Sequence, residues 1–145
     1  NDILMKFDEV IDHKKTLAFI YEDKRPEASA NDIAVIISGI LNWKKTWSES
    51  DIDSYLKFYD KDFERYDGMS LENFKNMKRA IFSKKEKKHI AFSNFLITPY
   101  PNLKNDKLFR VSFYEDYAAD THKFAGQKTL YVKLYGDEMK IFIEE

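Results

Sequence analysis

Two alternating runs set the strongest limit on what this chain can become: Leu130-x-Val132-x-Leu134 and Met139-x-Ile141-x-Ile143, separated by the tight turn Gly136-Asp137. Side chains of a strand point to opposite faces in turn, so each run offers one apolar face and one polar face. The pair reads as an antiparallel hairpin, with strands from Gln127 to Tyr135 and from Glu138 to Glu144. Two further strands precede it. His89 to Thr98 ends at the turn cluster Pro99-Tyr100-Pro101-Asn102, and Leu108 to Tyr117 is followed by a connection from Asp120 to Gly126. The four form an antiparallel meander that needs an apolar layer against one face.

That layer lies upstream. Asn31 or Asp32 is placed to cap a helix carrying Ile33, Ile36, Ile37, Ile40, Trp43 and Trp47 on one face. Ser50 followed by Asp53 marks a second cap, opening a short helix with Ile52, Tyr55, Leu56 and Tyr59. Tyr66-Asp67-Gly68-Met69 is a turn, and Ser70 caps a third helix with Leu71, Phe74, Ile81 and Phe82 inward. The basic run Lys84–Lys88 then reads as a solvated helix end, favourable against the helix dipole. Helices followed by strands give an α+β fold, with three helices laid on one face of the sheet.

Residues 1–22 stand apart. Ile3, Leu4, Phe7, Val10 and Ile11 recur at helical spacing, a polar turn follows, and Leu17–Tyr21 reads as a short buried strand. One helix and one strand cannot bury a core alone. The expected boundary is the charged, Pro26-containing linker 23–30, with the new unit spanning 31–145.

The chemistry is carried by charges on apolar faces. Lys128 shares the face of Leu130, Val132 and Leu134, and Glu145 continues that of Met139, Ile141 and Ile143. Lys78 interrupts the apolar stripe of the third helix. Glu115 and Tyr117 follow Phe109, Val111 and Phe113 in one parity, which makes Glu115 a fourth candidate. Buried charges are costly unless paired or hydrated. Their convergence points to a polar pocket at the open end of an apolar cone, with Tyr59 and Phe63 as candidate walls. Two ammonium groups beside a carboxylate suit a zwitterionic, peptide-like ligand. The simpler reading, that each charge reaches solvent at a frayed end, stays open.

Other classes fit poorly. Lysine and arginine (24) nearly balance aspartate and glutamate (25), so no net field draws nucleic acid. There is no cysteine, and the three histidines are scattered, so nothing points to a metal or cofactor. His89 and His122 read as surface residues, and no apolar run is long enough to span a membrane.

Two stretches resemble known families. The opening, Asn1-Asp2-Ile3 through Thr16–Glu22, resembles the end of an L,D-transpeptidase-type catalytic domain, just downstream of its catalytic cysteine. Residues 31–145, with Leu41-x-Trp43-x-x-x-Trp47, Asp51-x-x-x-Tyr55-Leu56-x-x-Tyr59-x-x-x-Phe63, Phe113-x-Glu115-x-Tyr117 and Gly126-x-Lys128-x-Leu130, resemble the nuclear transport factor 2-like accessory domain of bacterial cell-shape peptidoglycan hydrolases. The resemblance implies a cone of helices on a curved sheet. It also implies a periplasmic setting and an attached L,D-carboxypeptidase, with a peptidoglycan stem peptide (a muropeptide) as partner. Lys78 and Lys128 would then meet its carboxylates and Glu145 its amine. Many relatives carry Gln at the position of Glu115 and Trp at that of Phe74.

Three readings remain at this stage. The first is a non-catalytic peptidoglycan-binding domain. The second is a spacer that dimerises through the outer sheet face at Tyr131, Lys133 and Tyr135. The third is a small-molecule enzyme of the same fold.

Overall fold

The computed structural model describes residues 28–104 and 106–145. The helix and strand read in residues 1–22 lie outside the described residues. Helix α1 runs Ala30–Ser48 and is capped by Ser29, whose hydroxyl accepts from the Asp32 amide at 3.0 Å. The cap lies earlier than Asn31 or Asp32 because Ser29 is extended and Asp32, three residues on, is drawn to Lys107 Nζ at 3.0 Å. That lysine holds the Asp32 carboxyl below the usual range, against the opposing effect of burial. Asp51, not Ser50, caps α2 (Ile52–Leu56): Ser50 has φ 55°, outside the extended region a cap occupies. Ser70 caps α3 (Leu71–Phe82) as read from the sequence. Ile36, Ile40, Trp43, Phe74 and Phe82 are buried, while Ile33 and Ile81, expected inward, are exposed at the edges of their helical arcs.

The strands are β1 (Tyr59–Arg65), β2 (Lys88–Tyr100), β3 (Leu108–Ala119), β4 (Lys123–Tyr135) and β5 (Glu138–Glu144). They form one sheet in the order β1-β5-β4-β3-β2. β2 to β5 make the expected antiparallel meander. β1 is an addition: it pairs parallel to β5, so the sheet is mixed. The sequence spacing places Tyr59 in a helix with Tyr55, whereas the residue opens β1. A spacing of four satisfies the helical period and is also a multiple of the strand period, so Tyr55, Tyr59 and Phe63 fit either pattern.

Among the described residues the sheet has three irregularities, one of them in the β1–β5 pairing between Tyr59 and Glu64. In β2, Ser93 pairs with Tyr114 and Leu96 with Ser112, so one residue is extra, and Asn94 has a left-handed φ of 57°. In β5, Ile141 pairs with Val132 but Ile143 pairs with the adjacent Tyr131. The extra residue there is Phe142. Past it the parity inverts: Ile143 joins Tyr131, Tyr100 and Phe142 in a cluster separate from the main core, and Glu144 pairs with Leu130.

The main core gathers α1, α2 and α3 against Val111, Phe113, Leu130, Val132 and Ile141. On the outer face the residues read as a dimer surface make contacts within the chain. Tyr131 is buried, Lys133 pairs with Asp106 at 3.3 Å, and the Tyr135 hydroxyl donates to Asp60 at 2.6 Å.

α1 meets β5 closely at Gly39, where an added Cβ would lie 2.9 Å from Met139 Cβ. Alanine is favoured over glycine inside a helix by about 1 kcal/mol. Overpacking a fitted contact costs about 1–3 kcal/mol, and here the neighbouring atom is fixed to the strand backbone. Gly39→Ala is therefore expected to destabilise the domain, read as a lower urea midpoint; an unchanged or higher midpoint would contradict the close approach.

Candidate functional site

The polar end of the core is organised by one hydroxyl. Tyr59 Oη accepts a hydrogen bond from Trp43 Nε1 at 3.2 Å and donates to Glu144 Oε1 at 3.1 Å. It also lies 2.8 Å from Tyr55 Oη. Since its own proton goes to Glu144, Tyr55 must donate. Burial, followed by the nearby Glu144 carboxylate, pushes both tyrosines well above their ordinary range, so neither is a source of protons near neutrality. Tyr59 is thus a buried junction between α1, α2, β1 and β5. Phe63 lies deeper, edge-on to Tyr59 and tilted against Phe74. It belongs to the core instead of lining an opening.

Around that junction the charges converge. Lys128 Nζ lies 3.8 Å from Glu144 Oε2, and both side chains are largely buried. The glutamate facing Lys128 is therefore Glu144 and not Glu145. The bulge at Phe142 turns Glu145 out to solvent, with its backbone amide donating to the Thr129 carbonyl at 2.9 Å. Simple alternation could not anticipate a one-residue insertion.

Lys78 comes from α3 and is partly buried. Its ammonium lies over the rings of Phe74, Tyr55 and Trp47 at 5.5, 5.8 and 5.9 Å. No carboxylate among the described residues reaches ion-pair distance of it. Burial lowers its pKa; Glu144 opposes that and Lys128 adds to it. Trp47 stacks in turn on Tyr117, 5.0 Å between centroids, which closes the wall at the end of β3. Helical spacing marks Trp47 and Tyr55 as core residues and carries no signal that their rings surround Lys78.

Glu115 is only 4% exposed, and its Oε1 has no hydrogen-bond partner among the described residues. Burial raises its pKa, with Lys128 pulling it down and Glu144 pushing it up. Lys78, Lys128, Glu115 and Glu144 thus lie near enough to perturb one another. His89 and His122 are exposed, as expected. A groove of about 590 Å³ lies elsewhere, between α1, α2 and the β4–β5 turn, but its Lys57, Asp137 and Glu138 are exposed and the buried charges are not there.

A mixed sheet covered on one face by three helices, with charges closing the core, is the nuclear transport factor 2-like (NTF2-like) α+β fold. Residues 35–145 match the family described as the Cds6 C-terminal NTF2-like domain, and the chain belongs to that family. No curated protein matches. Among solved structures, a lysine-to-alanine variant of the helical cell shape determining protein Pgp2 from Campylobacter jejuni is 46% identical with TM-score 0.75, over 78% of this chain and 40% of that one. Unaltered Pgp2 is 48% identical with TM-score 0.66, over 74% and 38%. Bd1075 of Bdellovibrio bacteriovorus is 28% identical with TM-score 0.64, over 79% and 38%. The chain therefore spans about two fifths of the length of these relatives. An NTF2-like protein from Pseudomonas putida, 11% identical with TM-score 0.66, shares the fold alone. Among the described residues no helix is long and apolar enough to cross a membrane.

Two outcomes test this geometry. Tyr59→Phe leaves Trp43 Nε1, Tyr55 Oη and Glu144 Oε1 without their shared partner and should cost about 1–3 kcal/mol in urea unfolding. Glu115 acts through pH. Its folded pKa is raised, so its contribution is fully present below the unfolded glutamate pKa and is lost as pH rises through the folded value. Glu115→Gln removes that loss. Its melting temperature relative to the native chain should rise as pH increases above the unfolded glutamate value of about 4.3; a constant difference would contradict a buried carboxyl facing Lys128, Lys78 and Glu144.

Proposed function

We propose that this domain binds a peptidoglycan stem peptide and holds a cell-wall-trimming catalyst of the same polypeptide near its polymer. The observation that carries the reading is Lys78: an ammonium seated among three aromatic rings with no carboxylate in ion-pair range, beside a buried carboxyl that lacks a donor. A protein does not gain by leaving both signs of charge unsatisfied at the edge of one core. A ligand with a carboxylate and an amine satisfies both, and the rings accept its aliphatic stems. The stem of peptidoglycan has that chemistry.

Membership of the Cds6 C-terminal family and the likeness to Pgp2, a helical cell shape determining protein, support a role in cell shape. With that role go the periplasm, an L,D-carboxypeptidase as the attached catalyst, and a domain boundary in the linker 23–30. The absence of cysteine fits a non-catalytic chain. Among the described residues no inward histidine stands beside Glu115 or Glu144 to complete an acid–base pair, since His89 and His122 are exposed. Binding is expected to be weak, with Kd between about 1 μM and 1 mM, because the ligand makes only a few charged contacts and the cost of association offsets much of them. Tethering raises the effective concentration enough for such an anchor to work.

Titration of the chain with a tripeptide stem fragment, followed by amide NMR, tests the reading. Shifts are expected to cluster around Lys78, Glu115, Lys128 and Glu144. Lys78→Met keeps the stem packed on the rings but removes the charge, and should weaken binding about ten-fold or more, the worth of a charge-assisted hydrogen bond. No shift at millimolar peptide, or unchanged affinity in Lys78→Met, would overturn it.

A further inference from the structure

Within the pocket the four charged groups are not equivalent. Glu144 is already served: Oε1 accepts from Tyr59 at 3.1 Å, and Lys128 stands 3.8 Å from Oε2. Lys128 is engaged by the same contact. Their pairing closes the end of the core and ties β4 to β5. Glu115 is the opposite case. It is more deeply buried than Glu144, 4% against 8% exposed, yet Oε1 has no donor among the described residues.

Its neighbours across the sheet supply no side-chain donor. Strand alternation puts Glu115 on the inner face between Phe113 and Tyr117, and its register partner on β4 is Gly126, which has no side chain. The Phe124 ring packs over that place, with Cζ 3.2 Å from where a Gly126 Cβ would be. On the other side its register partner is Phe92. Lys128 and Lys78 act on the Glu115 carboxylate through space, yet no side chain among the described residues donates to its Oε1. An alanine or a glutamine would bury the same surface without an unsatisfied charge.

We propose that Glu115 is the amine-recognising residue of the pocket, that Lys78 is its carboxylate-recognising residue, and that the Lys128–Glu144 pair is a positioning brace. The assignment rests on the stem-peptide reading and sharpens it. The ligand class becomes a peptide ending in a diamino acid whose side-chain amine is free, its ammonium hydrogen-bonding Glu115 while a carboxylate meets Lys78. The amine contact expected of Glu145 passes to Glu115, because Glu145 faces solvent and Glu144 is occupied.

The test uses two tripeptide stem fragments acetylated at the N-terminus. In one the side-chain amine of the terminal diamino residue is free; in the other it is acetylated. Affinities are measured by calorimetry for the native chain, Glu115→Gln and Lys78→Met, each first shown by circular dichroism and melting to be folded. The native chain should prefer the free amine by about ten-fold or more, as expected for a charge-assisted hydrogen bond. Glu115→Gln should bind the two peptides within about two-fold of each other. Lys78→Met should weaken both while keeping the preference. The proposal is overturned if the native chain binds both peptides equally well, if Glu115→Gln keeps the full preference, or if Lys78→Met abolishes it. If neither peptide binds the native chain, the stem-peptide reading itself falls, an outcome distinct from binding without amine preference.

Discussion

The hydroxyl of Tyr59 stands at the meeting point of four elements, accepting from Trp43 of α1 and Tyr55 of α2 and donating to Glu144 of β5 while its backbone opens β1. A buried hydroxyl with each valence used tolerates little displacement, because a lost partner leaves a polar group stranded in apolar surroundings. Its donation to Glu144 orients that carboxylate towards Lys128. With those two groups committed to each other, Lys78 and Glu115 are left as the groups open to a ligand. The division between structural and recognising charges follows from where one phenol proton goes.

The aromatic frame serves both ends of this arrangement. Phe74, Tyr55 and Trp47 belong to the packing between helices and sheet, and the same rings surround the Lys78 ammonium. The ring faces stabilise the charge without neutralising it. A carboxylate from a ligand can therefore approach a cation that is oriented, partly dehydrated and unpaired. Such preorganisation lowers the ordering cost of binding.

Much of this was legible in the chain. The meander followed from alternation around Gly136-Asp137, α3 from Ser70 and its stripe, and the inward charge of Lys78, Lys128 and Glu115 from parity and helical spacing. What escaped was aperiodic or degenerate. β1 was hidden because Tyr55, Tyr59 and Phe63 are spaced by four, which suits a helix or a strand. Glu145 was taken for Glu144 because a single inserted residue, Phe142, inverts the parity of everything after it. Tyr59 was read as a wall because periodicity says which way a side chain faces and nothing about which hydrogen bonds it completes.

In the proposed complex the carboxylate of one ligand meets Lys78 and its ammonium meets Glu115. A crystal structure of the chain bound to a tripeptide stem fragment tests it most directly. The account predicts a ligand ammonium within hydrogen-bond distance of Glu115, a ligand carboxylate at Lys78, and the Lys128–Glu144 pair undisturbed. A ligand seated in the groove between α1 and the β4–β5 turn, or one that breaks the Lys128–Glu144 pair to bind, would contradict it.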